Sequence, residues 1–100
     1  MTYRIEFTGE AEEHLAALSA RNRRSVIEAL EAQLLHQPAL ETRSRKRMRA
    51  NPVAPWVLRV GHLRVYYDVV RGADPVVTVR AIGVKIRSRL MIAGEEVELS

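Results

Sequence analysis

Two runs of residues typical of β-strands, Trp56 to Val60 and Leu63 to Val70, are separated only by the dipeptide Gly61-His62. A two-residue loop with glycine in its first position is typical of a type II′ turn, which joins neighbouring antiparallel strands. Such a turn fixes how the two strands pair, and here it places Arg59 directly opposite Arg64. The sequence therefore predicts a β-hairpin that carries two arginines side by side.

The first part of the chain has the pattern of one strand followed by two helices. Residues Tyr3 to Phe7 alternate between apolar and polar side chains, as a half-buried strand does. Thr8 is predicted to be the N-cap of a helix that ends near Leu18. A second helix is predicted to run to about His36, before Pro38. The short link between these helices favours an antiparallel pair.

The remaining segments are expected to complete a small sheet. Val76 to Val84 is predicted to be the third strand of a meander, and residues 43–49 form a basic connector between the helices and the hairpin. The segment after the Ala93-Gly94 turn is expected to add a short terminal strand. This order predicts a single α+β domain over residues 1–100, with the helices on one face of a mostly antiparallel sheet.

Positive charge is concentrated in one part of the chain. Residues 1–41 contain four Lys/Arg and seven Asp/Glu, residues 42–89 contain twelve and two, and residues 90–100 contain none and three. The net charge of +4 therefore conceals a block of +10 between two ends of −3. A block of this kind predicts a strongly electropositive surface that binds an anionic partner.

Several classes of protein are excluded or disfavoured by residues that the chain lacks. Without cysteine it has no disulfide, no thiolate nucleophile and no Cys-based zinc site. The three histidines, His14, His36 and His62, lack the spacing of a helical metal pair and are predicted to be surface residues. No metal or cofactor is expected. No apolar run approaches the length of a membrane span, so we expect a cytoplasmic protein without a membrane partner.

The paired arginines indicate a phosphate site, because like charges that face each other across two strands destabilise a sheet unless an anion lies between them. The alternative is a solvated face on which each guanidinium bonds to Asp68 or to a glutamate of the C-terminal segment. Other residues of the same block are predicted to join this surface and bind RNA, with Tyr66 stacking on a base. They are Arg43, Arg45, Lys46, Arg47, Arg49, Tyr66, Arg87 and Arg89.

The segment from Trp56 to Val69, W-V-L-R-V-G-H-L-R-V-Y-Y-D-V, is followed by Ala81 to Arg87, A-I-G-V-K-I-R. Together they resemble the RelE/ParE superfamily of bacterial type II toxins. The preceding strand, helical hairpin and basic connector agree in order and length, so the resemblance covers about residues 3–91. It implies a RelE/ParE-like fold and a cognate antitoxin that neutralises the toxin.

The resemblance leaves two activities open. A RelE-like member would be a metal-independent, ribosome-dependent mRNA endoribonuclease that inhibits translation, and by position Arg59, Arg64 and Lys85 match the family's catalytic cations. A ParE-like member would inhibit DNA gyrase without cutting nucleic acid. Retention of the three cations favours the nuclease, whereas Met91, which lies where ribonuclease members carry an aromatic residue, favours the gyrase inhibitor. A third possibility is a plain nucleic-acid-binding module.

The general base of a nuclease is not identified by the sequence. Arginine stays protonated near neutral pH and is therefore unsuited to this role. The candidates are His62, Lys46, Lys85, Asp68 and Tyr66.

Overall fold

The computed structural model describes residues 2–98, which form two helices and seven strands. They are β1 (Arg4–Phe7), α1 (Gly9–Ala17), α2 (Ala20–Gln33), β2 (Arg45–Arg47), β3 (Trp56–Val60), β4 (Leu63–Val70), β5 (Val76–Ile86), β6 (Arg89–Ile92) and β7 (Glu95–Glu96). The predicted α+β class is confirmed. Met1, Leu99 and Ser100, which the predicted domain also included, lie outside the described residues. No helix within residues 2–98 is long and apolar enough to cross a membrane.

The strands form one sheet in which neighbours along the order β2-β3-β4-β5-β6-β7 are antiparallel. The predicted meander of β3, β4 and β5 is therefore present, and the segment after Ala93-Gly94 adds the short strand β7. The basic connector contains one strand that was not predicted, Arg45–Arg47. It pairs with Trp56–Leu58 and forms the edge strand of the sheet.

The β3–β4 hairpin has the register that the Gly61-His62 loop predicts. Val60 pairs with Leu63, and Arg59 pairs with Arg64. Gly61 has a φ of 60°, which a glycine adopts without the steric cost that a side chain would add. The two arginines therefore lie side by side on the face of the sheet opposite the helices.

Strand β5 is shared by both ends of the chain. One edge pairs with β4 over almost its whole length, while the other edge is divided between two strands. Its first part, Val76–Val79, pairs with β1 in parallel, and its last part, Gly83–Ile86, pairs with β6. Both terminal segments of the described chain are thus fixed to the same strand.

Helix α1 covers the gap between β1 and β6 along that edge. The Thr8 side chain caps α1 by accepting the Ala11 N–H at 3.1 Å, as predicted for the N-cap, and its hydroxyl lies 3.3 Å from the Arg80 carbonyl oxygen. The Ile82 N–H donates to His14 Nδ1 at 3.2 Å. His14 is half-buried, so its prediction as a surface residue is wrong. It supplies the hydrogen-bond acceptor that no neighbouring strand provides at this point.

The main core lies between the sheet and the helices, where α1 packs on β5 and α2 packs on β3. Leu30 and Leu34 from the helical half meet Leu58 and Val65 from the sheet. Tyr67 is also fully buried there, and its hydroxyl donates to the Pro38 carbonyl oxygen at 2.7 Å. This bond satisfies the one polar group of a large core side chain and joins the sheet to the segment that follows α2.

We predict that Tyr67 makes the protein sensitive to alkaline pH. Burial raises the pKa of the Tyr67 phenol well above its ordinary value, whereas in the unfolded chain it ionises near pH 10. The folded state therefore holds the proton more tightly, and the free energy of unfolding should fall as the pH rises above about 10.

Urea denaturation at pH 7 and at pH 10.5 tests this with a Tyr67→Phe variant. At pH 7 the variant should be less stable by about 1 kcal/mol, because it lacks the hydrogen bond to Pro38. The difference between the two proteins should narrow at pH 10.5, since phenylalanine has no proton to lose. An equal loss of stability in both proteins at pH 10.5 would contradict the prediction.

The structural role of His14 gives a second prediction. A His14→Ala variant leaves the buried Ile82 N–H without its acceptor and should lower the free energy of unfolding by about 1–3 kcal/mol. His36→Ala is the matched control, because His36 is exposed and its removal should change stability by less than about 0.5 kcal/mol. Chemical denaturation at pH 8 measures both, and equal stabilities would show that the bond is dispensable.

Candidate anion-binding site

A cavity of about 570 Å³ opens on the sheet face opposite the helices. Three cations, Arg64, Lys85 and Arg89, and two carboxylates, Glu96 and Glu98, contribute to its lining. The cations come from three different strands or strand ends, β4, β5 and β6. Three positive charges around one cavity suit an anionic ligand.

The register of the sheet accounts for this convergence. Arg64 pairs with Gly83, and Lys85 lies two residues further along β5 on the same face. The Lys85 N–H donates to the His62 carbonyl oxygen at 2.7 Å, which holds the end of β5 against the hairpin loop. Arg59 does not line the cavity, but it is the direct cross-strand neighbour of Arg64.

Gly83 allows β6 to close one side of the cavity. A Cβ atom at this position would lie 2.8 Å from Leu90 Cδ1, 3.0 Å from Ile92 Cγ1 and 3.1 Å from the Met91 carbonyl oxygen. A side chain at position 83 would therefore push β6 away. Because β6 carries Arg89 and leads to β7, this glycine sets the position of a cation and of both carboxylates.

Arg64 is held in an electrostatically unfavourable place. Its Nη1 donates to the carbonyl oxygens of Gly61 at 2.8 Å and of Leu63 at 2.9 Å, so the guanidinium is folded back over the hairpin loop. Partial burial, and then the positive charge of Arg59, lower the pKa of Arg64 below its ordinary value, although arginine remains protonated at any physiological pH. An anion bound here would relieve the repulsion between the two guanidinium groups.

The carboxylates near the hairpin bind other cations. Asp68 lies 3.8 Å from Arg80, and Glu96 lies 2.9 Å from Arg89. Within residues 2–98, no carboxylate lies within 4 Å of the charged groups of Arg59, Arg64 or Lys85. The alternative that Asp68 or a C-terminal glutamate neutralises the paired arginines is therefore not what the geometry shows.

Tyr66 does not have the exposure that base stacking requires. It is only 3% exposed and belongs to a second, smaller apolar cluster on this face, with Ala54, Ala81 and Leu90. The loop after β2 and the C-terminal segment cover this cluster, through side chains such as Met48 and Val97. The prediction that Tyr66 stacks on a base is thus corrected: its ring is core. Burial also raises the pKa of the Tyr66 phenol, which disfavours it as a general base.

Arg45 was predicted to bind RNA, but it is buried on the helix side of the sheet, with 8% exposure. Its Nη1 donates to the carbonyl oxygen of Gln33, the last residue of α2. A cation at the carboxyl end of a helix interacts favourably with the helix dipole and with its free carbonyl groups. Arg45 therefore acts as a cap for α2, with its buried Nε left without a hydrogen-bond partner.

The other predicted cations are spread over the surface. Arg47 and Arg49 line a separate cavity of about 400 Å³ together with Arg80, which was not among the predicted site residues. The guanidinium of Arg47 lies 5.8 Å from the centre of the Trp56 ring, a cation–π arrangement. Six of the RNA-binding candidates are exposed, and only Arg89 of these lines the 570 Å³ cavity. The six are Arg43, Lys46, Arg47, Arg49, Arg87 and Arg89.

Few of the general-base candidates lie at the cavity. Lys85 and Tyr66 line it, whereas His62, Lys46 and Asp68 do not. The side chain of Met91 lines a different groove, of about 680 Å³, between α1 and the end of the sheet. Position 91 therefore presents no group to the cations. Among residues 2–98 no group of three His, Cys, Asp or Glu side chains is placed to hold a metal ion.

Comparisons with known proteins give no match, either to a protein family or to an individual curated protein. The resemblance to RelE/ParE toxins therefore stays a prediction. What the structure adds is the arrangement of Arg64, Lys85 and Arg89 around one cavity, with Arg59 beside them.

The contrasting positions of Arg45 and Lys46 give a third prediction. Arg45→Ala should lower the free energy of unfolding by about 1–3 kcal/mol, because it removes a charged hydrogen bond from the end of α2. Its folded fraction should bind single-stranded RNA like the wild-type protein. Lys46→Ala should leave the free energy of unfolding almost unchanged and should weaken the binding of single-stranded RNA. Lys46 is exposed and pairs with Val57, on the face of the paired arginines.

Denaturation curves and RNA titrations of the two variants, at a temperature where both are folded, measure these effects. A stable Arg45→Ala protein that has lost its affinity for RNA would restore Arg45 to the binding surface.

Proposed function

We propose that the protein is a toxin of the RelE/ParE type that binds mRNA on the ribosome, cleaves it, and is neutralised by a cognate antitoxin. The observation that carries the proposal is the cavity that gathers Arg64, Lys85 and Arg89, next to Arg59. Arg59, Arg64 and Lys85 are the cations that the family resemblance assigns to catalysis, and they lack carboxylate partners within residues 2–98. A ribosomal substrate implies a cytoplasmic site of action.

The resemblance implies a reaction in which the ribose 2′-hydroxyl attacks the adjacent phosphate. The 2′ oxygen forms a bond to phosphorus and loses its proton, while the bond to the 5′ oxygen breaks and that oxygen takes up a proton. Negative charge grows on the phosphate oxygens as this happens. Arg64 and Lys85 line the same cavity, which supports a role for both in stabilising that charge, and Arg59 beside Arg64 would add to the local field. Positioning and electrostatic stabilisation are the contributions that this site supports.

A second candidate function is inhibition of DNA gyrase. Two observations favour it over the nuclease. Met91 lines the groove beside α1 and brings no aromatic group to the cavity. Tyr66, the aromatic residue that does line the cavity, is buried and has a raised pKa, so it is poorly suited to accept a proton. A protein that only binds an anionic surface needs the cations and not the proton acceptor.

The cations of the cavity give the fourth prediction. Arg64→Ala and Lys85→Ala should each weaken binding of single-stranded RNA and make the slope of log K against log salt shallower by about 0.7, the value of one phosphate contact. Arg71→Ala is the matched control, because this exposed arginine follows β4 at the end away from the hairpin and lines neither basic cavity. It should leave the slope unchanged.

Assays with translating ribosomes separate the functions. Wild-type protein should produce cleaved mRNA, and Arg64→Ala should reduce the rate about 100-fold or more, as expected for loss of a group that stabilises developing charge. Intact mRNA together with gyrase-dependent DNA breaks would favour the second candidate. Steep salt-dependent RNA binding without either effect would leave a nucleic-acid-binding module, and a folded protein that binds no RNA would rule out the proposed function.

A further inference from the structure

The C-terminal segment of the described chain lies across the cationic cavity. Strand β7 pairs with β6, so that Glu96 lies opposite Met91, and the Val97 N–H donates to the Leu90 carbonyl oxygen at 2.9 Å. Glu96, Val97 and Glu98 contribute to the wall of the cavity that Arg64 and Lys85 also line. The segment thus brings two carboxylates to the cavity in which an anionic ligand would bind.

One of these carboxylates already engages a cation of the cavity. Glu96 Oε1 accepts hydrogen bonds from Arg89 Nη2 at 2.9 Å and from Arg89 Nε at 3.2 Å. The side chains are 44% and 63% exposed, so water and salt compete with this ion pair. Arg64 and Lys85 have no such partner within residues 2–98. Glu96 therefore neutralises Arg89 and leaves Arg64 and Lys85 for a ligand.

The segment is attached weakly. Strand β7 has only two residues, and it follows a turn in which Ala93 has a φ of 54° and Gly94 a φ of 79°. A positive φ is unfavourable for alanine, so the turn holds β7 in place at some conformational cost. The apolar attachment is the half-buried Val97, which packs on the cluster around Tyr66. A short strand held by an exposed ion pair and one valine can open locally while the rest of the sheet stays folded.

We propose that the segment Glu95–Glu98 is a built-in competitor for the anion, which the phosphate groups of RNA displace from the cavity. This inference rests on the proposed function, because it takes RNA as the ligand. The exchange is an equilibrium in which the carboxylate of Glu96 leaves Arg89, the carboxylate of Glu98 leaves the wall of the cavity, and RNA phosphates replace them. Affinity for RNA is then lower than the cations alone would give, by the free energy needed to lift the segment.

Neutral variants test the competition. Glu96→Gln removes the charge and keeps the shape, and it should tighten binding of a ten-nucleotide oligouridylate about two- to fivefold, the range that corresponds to one exposed ion pair. Glu98→Gln and the double variant should act in the same direction. Each is compared with the wild-type protein at about 0.1 M salt.

Glu95→Gln is the matched control. It changes the net charge by the same amount on the same strand, but Glu95 lines a different cavity, near Arg80 and the start of α1. Screening over about 10 Å at this salt concentration should keep its effect well below that of Glu96→Gln. Equal affinities for wild-type, Glu96→Gln and Glu95→Gln proteins would overturn the competition, and so would equal tightening in both variants.

Hydrogen exchange gives an independent readout of displacement. The Val97 amide, which is bonded to Leu90 in the free protein, should lose protection when oligouridylate saturates the wild-type protein. Unchanged protection in the RNA complex would overturn the proposal even if the affinities shift.

The outcomes also separate this inference from the proposed function. RNA binding that is the same in wild-type and neutral variants refutes only the competitor. Measurable RNA binding by the wild-type protein that becomes tighter in the double variant supports both the competitor and the proposed function. Absence of RNA binding in every variant refutes both.

Discussion

The pairing of strand β5 is the constraint on which most of this structure depends. With one edge occupied by β4, its other edge has to be satisfied by β1, by α1 and by β6 in succession. This division fixes where the helices start, because β1 leads directly into α1. It also fixes where β6 and β7 lie, and with them the acidic wall of the cavity. Any change that slides β5 against β4 by one residue would therefore disturb the core and the site together.

A bulge within β5 explains how one strand serves two different faces. Tyr66 pairs with Ala81 and Tyr67 with Val79, so Arg80 is an extra residue on β5. Before the bulge Val77 and Val79 face the helices, and after it Ile82 and Val84 do. The shift gives the helix face a continuous apolar surface on both sides of the bulge. It also directs Ala81 and Gly83 to the opposite face, where small residues leave room for Leu90 and Ile92.

Features that depend on residues close in sequence could be predicted, whereas the burial of a side chain by segments distant in sequence could not. The hairpin register followed from Gly61-His62, and the cap of α1 followed from Thr8, since each depends on residues close in sequence. Alternation placed Tyr66 on the arginine face correctly, but nothing in the spacing indicated that a loop and the C-terminal segment would bury that ring. Arg45 belongs to a run of cations, and its sequence context does not distinguish it from its exposed neighbours. Only the position of α2 in the fold shows that Arg45 caps a helix. The sequence does contain a signal of the bulge, because the apolar alternation of Val77 and Val79 at odd positions is followed by that of Ile82 and Val84 at even positions.

The site combines cations that are fixed with carboxylates that are loosely attached. Arg59 and Arg64 are forced together by a hairpin whose register the turn determines, so their repulsion is a permanent cost of the fold. The protein can reduce that cost only by bringing in negative charge. Placing carboxylates on a rigid strand would cancel the field and leave no site, whereas leaving none would keep the full repulsion. A two-residue strand with exposed glutamates is intermediate, because it neutralises Arg89 alone when no ligand is bound and would oppose a polyanion only by the small free energy of its own attachment.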